Sequence, residues 1–177
     1  MLGYLKITVY SDYLHIYDKN HVIGLGKETA GGNEDFSWYQ GLKISLFDVS
    51  DVANPAEEAK IEIGDRGTNS EALYEPHAFL FDKSKNLLVI PVSLAEINKS
   101  QYSGEIPDNA YGETIWQGAY IFNIKEGEIR VRGKITHSKD NVWSNPIQRS
   151  LYIRAVMYTI SKGKIKANEL EIVEEIS

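Results

Sequence analysis

Short alternating segments recur along the chain between clusters of Gly, Asn, Asp, Pro and Ser, and helical periodicity is nearly absent. Successive side chains of a strand point to opposite faces, so apolar–polar alternation predicts a strand with one wet face. Leu5, Ile7 and Val9 alternate with Lys6 and Thr8, and Ala59, Ile61 and Ile63 with Lys60 and Glu62. Ile129, Val131 and Ile135 alternate in the same way with Arg130, Arg132 and Lys134. Other segments are apolar at successive positions: VIGLG at 22–26, LLVIPV at 87–92 and AYIF at 119–122. These predict strands covered on both sides.

The two kinds of segment come in a repeating order. YLHIYD ends at Asp18, HAFLFD at Asp82 and RSLYIR at Arg154, and each is followed by a second apolar segment: VIGLG, LLVIPV, then VMYTIS at 156–161. A third strand follows at 42–48, 118–124 and 164–167, and an amphipathic fourth at 58–63, 129–135 and 170–176. The pattern predicts an all-β chain, a β-propeller fragment of about three four-stranded antiparallel blades plus one leading outer strand. The leading strand falls at 5–9 and the blades at 13–63, 77–135 and 149–176. A β-sandwich is the alternative, but it buries only one face of most strands and leaves the two-sided segments unexplained. Propellers close with about 4–8 blades. Three therefore predict an incomplete ring, finished by the remaining blades of a longer polypeptide or by a second copy in a homodimer.

Several stretches also resemble a known family: SDYLHIYDKNHVIGLGKET at 11–29, GLKISLFDVSD at 41–51, RGTNSEALYEPHAFLFDKSKNLLVIPVS at 66–93, WQGAYIF at 116–122 and KIKANELEIVEEI at 164–176. They are similar to archaeal and bacterial proteins described as secreted, with a carboxy-terminal β-propeller domain distantly related to WD repeats. The resemblance implies a propeller fold, a chain ending where that domain ends, and further blades on the amino-terminal side. It implies a secreted or cell-surface location, which the chain itself leaves unknown. It carries no catalytic residue.

Composition narrows the function classes. The 177 residues hold 19 Lys and Arg against 25 Asp and Glu, a net charge of −6, and no cysteine. A disulfide framework and a thiolate metal site are excluded. No apolar run reaches the roughly 18–20 residues that span a bilayer, so no membrane insertion is expected, and Met1–Tyr10 does not read as a signal peptide. The acidic balance argues against nucleic acid as a partner, since phosphate binding needs clustered Lys and Arg. Arg130, Arg132 and Lys134 do form a basic stripe, but without interleaved aromatics they read as a charged edge that discourages sheet pairing.

The search for chemistry is mostly negative. Gly26 and Lys27 lack the upstream glycine and following Ser or Thr of a phosphate loop, and Gly24, Leu25 and Gly26 precede no helix, so they read as a strand end opening into a loop. Asp82 to Asn86 begins like a calcium loop but has Leu87 in place of its glycine, which points to a tight turn. The four histidines show no metal-ligand spacing; His15 and His77 fall on the predicted first strands of their blades, which makes them channel candidates. No catalytic residue, cofactor or metal ligand is assigned. Asn98, Lys99 and Ser100 form a glycosylation acceptor, relevant only in a glycosylating compartment.

A site emerges from loop geometry. In an antiparallel blade the connections from strand two to three and onward to the next blade leave on one face, which here receives the long segments 27–40, 64–76, 94–116 and 138–148. Trp38, Trp116 and Trp143 lie in these segments or at their edges, with Tyr39, Arg66, Glu71, Tyr74, Tyr102 and Tyr111. Aromatic and Arg side chains dominate binding energy when a partner buries them. The expectation is a binding or interaction module for a protein, peptide or glycan, with the three tryptophans as anchors, Tyr39 beside them, and Arg66 and Glu71 as selectors. The alternatives are a hydrolase whose site at the channel mouth needs the missing blades, and a structural scaffold for a neighbouring domain; in the structural reading of the same residues, Trp116 caps its blade and Arg66 with Glu71 ties an interblade loop together.

Overall fold

The computed structural model describes residues 9–33, 36–125, 127–138 and 144–170. Two compact units are present: Met1–Asn69 with Leu94–Thr114, and Ser70–Ser93 with Ile115–Ser177. Each consists of antiparallel sheet joined by turns and short 3-10 segments.

In the first unit, β1 (Val9–Ile16), β2 (His21–Asn33), β3 (Phe36–Asp48) and β4 (Ala56–Ile63) form a sheet in sequence order. Val9 therefore opens β1, and the rest of the leading strand expected at 5–9 lies outside the described residues. Ile23, Leu25, Leu42, Ile44 and Leu46 share one face and are each no more than 2% exposed, and Gly24 and Gly26 on the other face of β2 are buried as well, the two-sided burial that the apolar run at 22–26 predicts. Gly24 and Gly26 lie inside β2, which continues to Asn33, so the expected loop opening is a strand interior. A Cβ at Gly24 would meet Phe47 Cε2 at 2.7 Å, so glycine there admits the ring.

The described residues of the segment 27–40, which are 27–33 and 36–40, likewise form a paired ribbon rather than a loop. Thr29 pairs with Tyr39, Ala30 with Trp38 and Asn33 with Phe36, across two register shifts. Its polar sequence carries no strand periodicity; main-chain pairing and an outside contact hold it. Gln40 Nε2 donates to Asp108 O at 2.9 Å. Gly31 has φ +61° and sits against the Asp108 carboxyl so closely that a Cβ would lie 2.2 Å from it.

The second sheet comprises β5 (Leu80–Asp82), β6 (Leu87–Glu96), β7 (Glu113–Lys125) and β8 (Glu128–Ile135), again in sequence order. Its first strand is shorter than HAFLFD suggests, because Pro76–Ala78 forms a 3-10 turn. The turn after Asp82 is closed by its own side chain, which accepts from Ser84 N at 2.8 Å, and by Asn86 at φ 51°. Leu87 through Ile90 are 0% exposed, so both faces of β6 are covered. In β8 a register shift sets Gly133 opposite Ile121 but Val131 opposite Phe122, making Arg132 the extra residue. That bulge breaks the strict alternation expected over 129–135: Ile129 and Ile135 are buried, whereas Val131 is 42% exposed.

The third sheet, β9 (Ile147–Ile153), β10 (Val156–Ser161) and β11 (Lys164–Glu169), has three described strands. The amphipathic segment expected at 170–176 falls outside the described residues beyond Leu170. Leu87, Val89, Ala119, Ile121 and Ile135 of the second sheet share one apolar core with Ile147, Met157 and Leu170. The opposite side of the third sheet shows Leu151, Ile153 and Ile165 to solvent, and in the first sheet Leu14 and Ile16 are exposed as well. Among the described residues no helix is long and apolar enough to cross a membrane.

Candidate functional site

The clearest assembly of candidate residues is a corner of the first unit, where the chain leaves β4 through Gly64, Asp65, Arg66, Gly67 and Thr68. Gly64 and Gly67 adopt φ +63° and +111°, conformations that open the turn and that side chains other than glycine rarely accept. Asp65 N donates to Ala95 O at 2.9 Å, and Asp65 Oδ2 accepts from Ile97 N at 2.8 Å. Buried Thr68 donates through Oγ1 to Ala95 O at 3.1 Å and accepts from Ala95 N at 3.0 Å. Gly112 N donates to Arg66 O at 2.7 Å, and Lys27 Nζ donates to Thr68 O. Buried main-chain groups are costly when unpaired, so this set of bonds fixes the corner as a rigid platform.

Arg66 is carried on that platform. Its Cζ lies over the Trp38 ring at 4.6 Å from the centroid and over the Tyr111 ring at 5.7 Å. Ring faces attract the cation but accept no N–H fork, and Arg66 Nε is buried without a hydrogen-bond partner. Trp38 is half-buried on β3, and its neighbour Tyr39 is 51% exposed. Two expected residues, Trp38 and Arg66, thus meet, and the third member is Tyr111, which loop placement named on the same face but not among the anchors and selectors.

Lys27 and Asp12 were not anticipated. Burial lowers the Lys27 ammonium to about 8, with Asp12 opposing that shift, and burial raises the Asp12 carboxyl. Asp12 is the unpaired residue of a bulge in β1, between Ser11 and Tyr13. A polar residue interrupting an alternating strand, followed by a lysine just past a buried glycine, is the only trace this pair leaves in the sequence.

The other candidates have different surroundings. His15 lies on β1, half-buried, with Nδ1 3.2 Å from Tyr13 Oη, and burial lowers its pKa. His77 is not on a strand: it occupies the 3-10 turn Pro76–Ala78, exposed, with Nδ1 2.5 Å from Glu75 Oε1. In the second unit Trp116 lies within β7 rather than in a loop, half-buried and edge-to-face with Tyr120 at 5.3 Å. A Cβ at Gly118 would come 2.5 Å from its ring, and Lys134 Nζ lies 5.8 Å from that ring's centroid. These contacts pack Trp116 against residues of its own sheet. Glu71 is exposed at the start of the 3-10 turn Glu71–Leu73, and Trp143 lies outside the described residues. His137 is buried, with Nδ1 2.8 Å from Ser161 Oγ and Nε2 2.9 Å from Thr159 Oγ1, ties that join the end of the second sheet to the third. In the basic stripe, Arg130 pairs with Glu128 at 2.7 Å and Lys134 lies over Tyr120 at 4.5 Å.

Compared with known proteins, residues 1–173 match the family described as beta propeller domain. The chain belongs to that family. It is similar to an uncharacterized protein of Methanocaldococcus jannaschii, 30% identical over 179 residues that cover 99% of this chain and 22% of that protein. An uncharacterized protein of Archaeoglobus fulgidus is 28% identical over 176 residues, covering 99% of this chain and 21% of its own length. The propeller domain described here thus spans about a fifth of the length of the curated relatives it matches.

Proposed function

We propose that this propeller domain is a non-catalytic binding module whose recognition surface includes the corner formed by Trp38, Arg66 and Tyr111 and the exposed Tyr39 that follows Trp38 on β3. The observation that carries this is the Arg66 guanidinium held over two aromatic rings on a hydrogen-bonded turn, with its Nε unspent. Recognition surfaces use rigid scaffolds to present Tyr, Trp and Arg, the residue types that supply most interface energy. The ligand class is a protein, peptide or glycan. Further blades of a longer polypeptide are the expected partners of the exposed apolar sheet faces, at Leu14 and Ile16 and at Leu151, Ile153 and Ile165. The family resemblance adds export to the cell surface.

Peptide and glycan arrays probed with the intact chain test this reading. Tyr39→Ala, at an exposed position, is expected to lower the signal of a true ligand about tenfold, the cost of losing a modest hot spot, without moving the melting temperature. Ligands indifferent to Tyr39→Ala and Trp38→Ala, or a Trp38→Ala chain that unfolds while a folded Tyr39→Ala chain binds normally, would assign the corner to structure alone.

A further inference from the structure

Resting on the reading of the corner as a binding surface, we propose that Arg66 is the receptor for a carboxylate group of the ligand. Among the described residues the side chain is a cation without a counter-ion, taking part in none of their ion pairs; its Nε is buried without a hydrogen-bond partner, which leaves the two Nη groups as the donors a ligand can reach. Asp65, its neighbour in the chain, is committed to Ile97 N, and the Arg66 carbonyl to Gly112 N. A guanidinium offers five N–H donors in a planar fork that matches a carboxylate with two parallel bonds. Trp38 and Tyr111 hold the group by its charge while leaving those donors unspent.

Preorganisation strengthens the assignment. The turn that carries Arg66 is fixed by main-chain bonds from Asp65, Thr68 and Gly112, so little ordering is left to be done when an anion arrives. A second cation, Lys27, reaches the same turn at the Thr68 carbonyl. A singly charged carboxylate suits the site better than a phosphate dianion, because the chain is net acidic and Lys27 is already partly balanced by Asp12. A peptide C-terminus, an acidic side chain and an acidic sugar all supply this group.

The Arg66 Nη–H resonance, followed by nuclear magnetic resonance during titration of the intact chain, tests the proposal directly. Acetate is expected to shift that resonance saturably, acetamide of the same shape to leave it unmoved, and inorganic phosphate at matched ionic strength to bind more weakly than acetate. Arg66→Lys keeps the charge but loses the fork, and should weaken acetate binding, read at the backbone amides of 64–68, by about tenfold. Equal responses to acetate and acetamide, tighter binding of phosphate, or an unchanged Arg66→Lys titration would each overturn it. If Arg66→Lys fails to fold, the acetate and acetamide arms on the native chain still decide. Peptides ending in carboxylate or amide, and glucuronate against glucose, then separate the sources. An array ligand that depends on Tyr39, lacks a carboxylate and ignores Arg66→Lys would overturn this proposal while leaving the binding module intact.

Discussion

Strand β3 of the first sheet and strand β7 of the second are both covered on two faces, yet their side chains are of opposite kinds. Along β7, Ala119 and Ile121 alternate with Tyr120, Phe122 and Ile124, all at most 3% exposed, and the Tyr120 and Phe122 rings stack at 5.8 Å. Along β3, Leu42, Ile44 and Leu46 make one apolar face while Lys43 and Ser45, each 2% exposed, stand on the other. Lys43 Nζ lies 3.2 Å from Glu28 Oε2 and 3.0 Å from Glu57 Oε1, and Ser45 Oγ donates to Glu57 Oε1 at 2.7 Å. A covered strand face can thus be satisfied by dispersion and apolar burial, or by an ion cluster whose mutual attraction offsets the desolvation of its charges.

The strongest way to break this comparison is to truncate each strand. Lys43→Ala leaves two carboxylates without their cation and should cost about 3–5 kcal/mol, the range for breaking a buried pair. Phe122→Ala should cost about 3–5 kcal/mol for lost burial plus the cavity. Urea unfolding measures both, and the rescue separates them. Adding Glu28→Leu and Glu57→Leu to Lys43→Leu should recover much of the first loss, since apolar groups of similar volume can replace a buried ion cluster. No substitution elsewhere on β7 refills the Phe122 cavity. A cost below about 1 kcal/mol for Lys43→Ala would mean that the cluster behaves as a solvated surface pair.

A smaller effect sharpens the comparison through Lys27, a partly buried lysine on β2. Where Lys43 has two carboxylates at ion-pair distance, Lys27 has a carbonyl bond and the more distant attraction of Asp12, and burial lowers it from the ordinary 10.5 to about 8. Between those values the folded chain has released a proton that the unfolded chain still binds, so stability rises with pH across that window. Measured against Lys27→Met, the native chain should gain stability from about pH 8 to about pH 10.5 and show a constant difference below about pH 7. A difference that stays flat over that window and falls only above about pH 10.5 would mean that Lys27 is held as a cation by a partner.

Much of the fold was legible because strand periodicity is local. The runs at 22–26, 87–92 and 119–122 read as covered on both sides, and all but half-buried Val22 are buried. Three departures have separate causes. The ribbon at 27–40 pairs through main-chain groups that have no side-chain signature, the bulge at Arg132 puts Ile129 and Ile135 on opposite faces of β8, and His77 lies in a turn that opens with Pro76. Lys43 is the instructive case, because its alternation with Leu42 and Ile44 reads as a wet face until Glu28 and Glu57 arrive from β2 and β4.

The candidate site divides in the same way. Residue type and loop position pointed to Trp38 and Arg66, but Trp116 satisfied the same criteria and belongs to the packing of β7. What distinguishes them is the setting: Arg66 stands on a hydrogen-bonded turn with a buried Nε that has no partner, whereas Trp116 packs edge-to-face on Tyr120 within its own strand. The chain alone determined an all-β architecture and its order of strands, because side chains that alternate with a period of two disclose their faces residue by residue. Tertiary structure decided which charges could be buried and which rings Arg66 would meet, because Trp38, Arg66 and Tyr111 lie far apart along the chain and meet only when long-range pairing brings β3, the turn after β4 and the segment before β7 together.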